Sequence, residues 1–299
     1  MQQILADYLA KCKPLIDNEL EVELARRKKE VGEIAPQLVE IVLAMKELAK
    51  GGKRLRGVLT LLGYELAGKR IDKEVLQAAT AMEIFHLGLL IHDDIMDQDS
   101  LRRGVMTIHA RYTNKHLGES LAICAGDYCF AWTSNILTSL SLPAGRVLAG
   151  MSVWNKYFAR VGYGQTLDVW TESRENISEA EILKVLALKS GEYTCVLPLF
   201  LGATLGGADQ ELLEKLETYG MELGWVFQLR DDYLAEYGDS AKIGKPVGND
   251  SREKKKTLIT MYGKEESEKV MKEHIEKARK MTSEARLLAI LDYVATREN

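Results

Sequence analysis

Two clusters of carboxylates have the residue types and spacing to do chemistry. In Asp93-Asp94-Ile95-Met96-Asp97, Asp93 and Asp97 stand four residues apart. On a helix they project from one face, with Asp94 about 100° round. Like charges at that spacing cost a helix a few tenths of a kcal/mol, so a compensating cation is expected. Donors that are all oxygen favour a hard ion, Mg²⁺ first. A solvated acidic helix end is the plainer reading. Against it, Ile84 to Ile91 is apolar apart from His86, so these acids terminate a buried helix. The second cluster, Asp231-Asp232 with Glu236 and Asp239 beyond, follows another apolar stretch. Two such endings point to one site for more than one metal ion.

Cations form the complement. Gly51-Gly52-Lys53-Arg54-Leu55-Arg56 is a glycine-flexed segment carrying three positive charges. Arg102-Arg103-Gly104 follows Asp97, and Lys242, Lys245 and Lys254-Lys255-Lys256 lie in or beside a segment with Gly244, Pro246 and Gly248. Each run alone reads as a solvated face. Arginine forks and lysine charges beside metal-binding carboxylates are, together, a way to hold phosphates. Neither GxxxxGK[ST] nor a GxGxxG after a strand occurs, so the usual nucleotide cradles are absent.

The elements carrying these groups must be long helices. Five prolines in 299 residues leave none between Pro36 and Pro143, too few turn signals for an all-β fold. Ile4, Tyr8, Leu9, Cys12 and Leu15 fit an amphipathic first helix, and 35–49 gives a second, stopped by Gly51-Gly52. Asp72 can cap a third long helix reaching about residue 99. Further helices are expected over 118–140, 144–172, 178–206, 209–237, 255–261 and 264–295. The expectation is an all-α single domain over 1–299, with roughly ten or more helices, too many for a four-helix bundle.

Several functions are disfavoured. With 44 acidic and 40 basic residues the net charge is −4, which argues against a nucleic-acid partner. Cys12, Cys124, Cys129 and Cys195 show no CxxC spacing and read as reduced thiols of a cytoplasmic protein. No apolar signal core opens the chain. The longest uncharged run, Tyr128 to Gly145, is interrupted by Ser, Thr and Asn and ended by Pro143, so no membrane span is expected.

In this order the segments resemble the trans-prenyl diphosphate synthases of the all-α isoprenoid synthase fold. The motifs are GGKRLR at Gly51 to Arg56, DDIMDQDSLRRG at Asp93 to Gly104, Gly126-Asp127, GQTLD at Gly164 to Asp168, KSGEY at Lys189 to Tyr193, FQLRDD at Phe227 to Asp232, and GKPVGND at Gly244 to Asp250. The resemblance implies helices around a central apolar cavity that excludes water. It implies that Asp93, Asp94 and Asp97, with Asp231 and Asp232, hold three Mg²⁺ ions on an allylic diphosphate contacted by Arg102, Lys189 and Lys245. Lys53, Arg56, His86 and Arg103 match the isopentenyl diphosphate pocket, and Ser190 and Gln228 face a carbocation. The implied reaction ionises the allylic diphosphate, adds the isopentenyl double bond, and passes a proton to the departing diphosphate. A homodimer is implied as well.

Departures from the pattern are local. Ala235 stands at the fifth position of the second motif, where an aspartate is usual, which changes the ligand set of the third ion. Gly57 and Met106 replace prolines, and Ser190 a threonine. His92 and His109 read as structural hydrogen-bonders. In the family a bulky residue five positions before the first aspartate stops chain growth; here that position is Gly88, followed by Leu89, with Phe85 deeper and Trp132 a second candidate wall. One helical turn of about 5.4 Å matches about one isoprene unit, so a product of about twenty to twenty-five carbons, geranylgeranyl diphosphate synthase-like, is expected. The alternatives are a farnesyl diphosphate synthase, a class I terpene cyclase and a regulatory subunit of a heteromeric synthase. A cyclase needs no isopentenyl pocket, and a regulatory subunit usually lacks the first aspartate motif.

Overall fold

A computed structural model of the chain describes residues 2–174, 176–238 and 257–298, without the side chains of residues 2 and 172. The fold is all-α, as its sequence patterning requires, and its helices divide between two compact units. One unit comprises residues 11–61 and 70–151. The other comprises residues 1–10, 62–69 and 152–299, so far as they are described.

Helix α1 (Gln2–Ile34) buries Leu5, Tyr8, Cys12, Ile16, Leu20, Leu24 and Val31, a stripe at helical spacing. Ile4 and Leu15, expected in that stripe, are exposed. Pro14 lies inside α1, where it has no amide hydrogen to give to the helix. Helix α2 (Pro36–Ala49) starts on a proline, which has no amide hydrogen to lose at that position. After it come α3 (Leu55–Leu66) and α4 (Lys73–Met96). Asp72 caps α4 by accepting the Val75 N–H at 3.0 Å, as its position in the sequence suggests. Helix α4 is buried on nearly every side and packs along α5 (Lys115–Thr138). Between them a two-strand hairpin, Leu101–Arg102 with Val105–Met106, turns through Arg103 (φ 53°) and Gly104 (φ 77°). Positive φ at both turn residues matches the twist of a tight hairpin. Sequence reading offered no strand here.

Helix α6 (Ala144–Glu172) leads to one continuous helical run: α7 (Glu179–Val185), a π-helix (Leu186–Val196) and α8 (Leu197–Gly206). The run was expected as one α-helix, and its eleven π-helical residues are the departure. They pack against α9 (Gln210–Tyr237), where a Cβ on Gly224 would fall 2.5 Å from Gly191 Cα and 2.8 Å from its carbonyl oxygen. Backbone therefore meets backbone. Helix α10 (Leu258–Met281) bends at Gly263 (φ 76°), and α11 is Ala285–Thr296. The single helix expected over 264–295 is thus two. Thr282 takes an extended conformation and its hydroxyl accepts the Glu284 N–H at 3.0 Å, a local bond that competes with helix continuation.

Two stretches, Lys73–Met96 and Glu179–Gly206, are long and apolar enough to cross a membrane, which the uncharged-run criterion had not flagged. Most of each is buried inside the protein, as core helices are.

The Gly191–Gly224 approach sets a test. Gly224→Ala should destabilise the protein by about 2 kcal/mol or more, because the clash is with backbone rather than with a movable side chain. Thermal and urea unfolding would measure it, and an unchanged midpoint would show that the two segments can move apart freely.

Candidate functional site

The C-terminal half of α4 gathers the first acidic motif and most of the expected cations in one unit. Asp94 turns inward and is only 1% exposed. Arg102, at the end of the first hairpin strand, donates from Nε to Asp94 Oδ1 at 2.6 Å, with Nη2 at 2.5 Å from the same oxygen. The other oxygen, Oδ2, is buried with no hydrogen-bond partner among the described residues. Burial pushes the Asp94 carboxyl above the usual carboxylate value, against the pull of Arg102. Asp93 is half-buried. Asp97 is exposed at the end of α4, where its N–H closes the helix onto the Asp93 carbonyl. The donors are oxygen only and include an unsatisfied buried carboxylate oxygen, a set that fits a hard divalent cation.

Two turns earlier, His86 is held by burial, then by the positive charges of Arg56, Arg103, Arg102 and Arg54, at a pKa well below the ordinary histidine value. It is therefore neutral at physiological pH, able to donate one N–H and accept at the other nitrogen. Burial and the neighbouring Arg102 and Arg54 also lower the pKa of Arg103. Lys53 is exposed and Arg56 half-buried. Thus Arg56 and Arg103 lie near His86, and Arg102, bonded to Asp94, lies with them.

The chain-length positions look different in three dimensions. Gly88 does not open space. A Cβ there would fall 2.7 Å from Cys129 Cβ and 2.8 Å from Phe130 Cε1, so α5 fills the gap. The Phe130 ring sits edge-on to Phe85 at 5.8 Å and to His92 at 5.3 Å. Phe85 is fully buried, and Leu89 is half-buried. Trp132 stacks on Tyr128 and lies under the Arg27 guanidinium. His92 Nε2 donates to the Ile123 carbonyl at 3.0 Å, and His109 Nδ1 lies 3.4 Å from Thr107 Oγ1, both structural bonds as expected.

In the other unit Lys189, Gln228, Asp231 and Asp232 are each held by a neighbour. Lys189, on the π-helix, donates to Asp168 Oδ2 at 2.6 Å. Gly164, one turn before Asp168, permits this, since a Cβ there would come 2.5 Å from the Lys189 nitrogen. Ser190 is half-buried beside it. Gln228 donates to Asp232 Oδ1 at 2.6 Å. Arg297 pairs with Asp231 Oδ1 at 2.6 Å, lies over the Phe227 ring and donates to the Phe227 carbonyl. Lys245 lies outside the described residues, as do Asp239, Lys242, Pro246 and Lys254 to Lys256. Among the described residues no three His, Cys, Asp or Glu side chains converge into a ready-made metal cage. Arginines bond both Asp94 and Asp231, and for the buried Asp94 the countercharge offsets the cost of burial.

Residues 39–294 match the sequence pattern of one family, polyprenyl synthetase. The chain belongs to that family. Geranylgeranyl diphosphate synthase of Methanosarcina mazei is 37% identical over 220 residues, covering 74% of this chain and 66% of that protein. Geranylfarnesyl diphosphate synthase of Aeropyrum pernix is 35% identical over 216 residues, covering 71% of this chain and 66% of its own length. The chain therefore spans just under two thirds of the length of these curated relatives. The crystal structure of geranylgeranyl pyrophosphate synthase from Corynebacterium glutamicum, complexed with isoprenyl diphosphate and magnesium, matches with a TM-score of 0.88 at 27% identity, over 96% of this chain and 99% of that one. The fold of this chain is thus the isoprenoid synthase fold.

Sequence reading passed over Asp17, Glu83 and Phe130. Glu83 alone left a signal, a charged residue in the apolar run from Ala78 to Leu90. The neutral state of His86 is testable by NMR. Its ring nitrogens should show the neutral pattern at about pH 6, where an exposed histidine is mostly protonated. Protonation at the ordinary value would mean that the four arginines do not act on it together.

Proposed function

We propose that this polyprenyl synthetase condenses isopentenyl diphosphate with an allylic diphosphate, head to tail and trans, to a short-chain prenyl diphosphate. The observation that carries this reading is the meeting of acids and cations at the end of α4: Asp94 bonded to Arg102, with Arg56 and Arg103 acting on a neutral His86. A reaction between two diphosphates needs both kinds of group.

In this reading Lys53, Arg56, His86 and Arg103 hold isopentenyl diphosphate, and Arg102, Lys189 and Lys245 hold the allylic diphosphate. Ser190 and Gln228 face the cation left when the allylic C–O bond breaks, and their dipoles stabilise it. The isopentenyl double bond adds to that cation, and the departing diphosphate takes the proton. Three magnesium ions, bound through Asp93, Asp94, Asp97, Asp231 and Asp232, would supply Lewis-acid neutralisation of the leaving group. Arg102 and Arg297 bond Asp94 and Asp231 meanwhile and orient these carboxylates. Relatives that make geranylgeranyl and geranylfarnesyl diphosphates support a product of about twenty to twenty-five carbons, Phe85 lying about one helical turn below Leu89. We also infer one polyprenyl synthase domain over 1–299, a cytoplasmic location and a homodimer, the last supported by exposed Leu117 and Ile123 on α5.

The deciding experiment incubates the protein with Mg²⁺, isopentenyl diphosphate and dimethylallyl, geranyl or farnesyl diphosphate in turn, and separates products by length. Condensation to twenty or twenty-five carbons is expected. No condensation, or a cyclised hydrocarbon formed without isopentenyl incorporation, would overturn the reading. Asp93→Ala should lower turnover roughly a thousandfold or more while the circular dichroism stays helical. Phe85→Ala should lengthen the product, and an unchanged length would remove Phe85 from the floor of the cavity.

A further inference from the structure

Arg54 belongs to the glycine-flexed cationic segment but does not behave like its neighbours. It is 8% exposed, and its backbone adopts φ 57°, a conformation that L side chains rarely take. Its Nε donates to Asp17 Oδ1 at 2.6 Å, its Nη2 donates to the Ala49 carbonyl at 2.6 Å, and its Nη1 lies 3.5 Å from Glu83 Oε2. The side chain therefore ties α1, the end of α2 and α4 together.

Glu83, 6% exposed on α4, does a second job. Its Oε1 accepts the Gly57 N–H at 2.9 Å, an amide in the first turn of α3 that has no partner within its own helix. The proline that the family resemblance leads one to expect at this position has no N–H to give. A Cβ on Gly57 would also come 2.9 Å from Ile16 Cδ1. Gly52 is constrained from the other side, since a Cβ there would fall 2.7 Å from Arg54 Nη1. Lys53 and Arg56 flank this bracket, and Glu83 lies one helical turn before His86. Four arginines that act on one histidine repel one another, so an unbraced turn would spread its cations apart.

We propose that Glu83 is a positioning residue for isopentenyl diphosphate: through Arg54 and the Gly57 amide it fixes the turn that carries Lys53 and presents Arg56 near His86. The proposal rests on the isopentenyl diphosphate role given to those cations above. A pair that merely stabilised the fold would affect both substrates alike.

The test uses the full chain with Glu83→Ala, Glu83→Gln and Asp17→Asn. It measures KM for each substrate, direct calorimetric binding of isopentenyl diphosphate, and the thermal midpoint. Glu83→Ala should weaken isopentenyl diphosphate binding about tenfold or more while the allylic KM changes less than about twofold. Glu83→Gln, which keeps an oxygen for the Gly57 N–H, should recover part of that loss. If Glu83→Ala does not fold, Asp17→Asn decides, because the Asp17 side chain is already 35% exposed. It should raise the isopentenyl KM about threefold, again without the allylic KM. Unchanged values, or equal changes for both substrates, would overturn the positioning role. A wild-type protein that binds no isopentenyl diphosphate would instead sink the functional reading beneath it.

Discussion

Repulsion among like charges is the constraint on which the rest of this region depends. Arg54, Arg56, Arg102 and Arg103 all act on His86, in surroundings buried enough to lower the pKa of Arg103. Charges so placed stay together only where the backbone and the surrounding acids hold them. The chain meets this in two ways. Arg54 and Arg103 accept backbone conformations at φ 57° and 53°. Asp17, Glu83 and Asp94 take charge from Arg54 and Arg102, while His86 stays neutral. Backbone held in such sparsely populated conformations persists only where its surroundings over-determine it.

The other unit follows the same logic with shorter reach. Asp168 fixes Lys189, Asp232 is bonded by Gln228, and Arg297 covers Asp231. Two close backbone approaches make these pairs possible, Gly164 against Lys189 and Gly224 against Gly191. Both involve the π-helix, whose wider turn moves Lys189 and Ser190 away from the positions a regular helix would give them. Isolated π-turns recur at functional sites because the altered hydrogen bonding re-aims side chains and carbonyls.

What was legible in the sequence was what sequence-local physics determines. Asp72 and the apolar run before Asp93 announce a capped buried helix, and α4 has those ends to within a few residues, while Gly51-Gly52 stop α2. The acidic and basic motifs were legible because their spacing alone puts like groups on one face. Three things were hidden. The Arg103–Gly104 hairpin depends on pairing across the turn. The break at Thr282 depends on a hydroxyl choosing its own backbone over the helix. The bracket of Arg54 depends on Asp17 and Glu83, distant in sequence and silent until the helices pack.

Chain length makes the same point about volume. A glycine read along one helix looks like space. Space at a helix contact, however, belongs to both helices, and interiors close-pack. Here α5 advances into the groove at Gly88, so that Phe130 lies between Phe85 and His92 on the α4 surface. The missing side chain is supplied by the neighbour. Any rule that assigns product length from the residue five positions before the first aspartate therefore contains an unstated second variable, the size of the residue opposite. In this chain that residue is aromatic, and its ring rests against Phe85. The space beside Gly88 is thus taken by Cys129 and Phe130, and the glycine alone opens none.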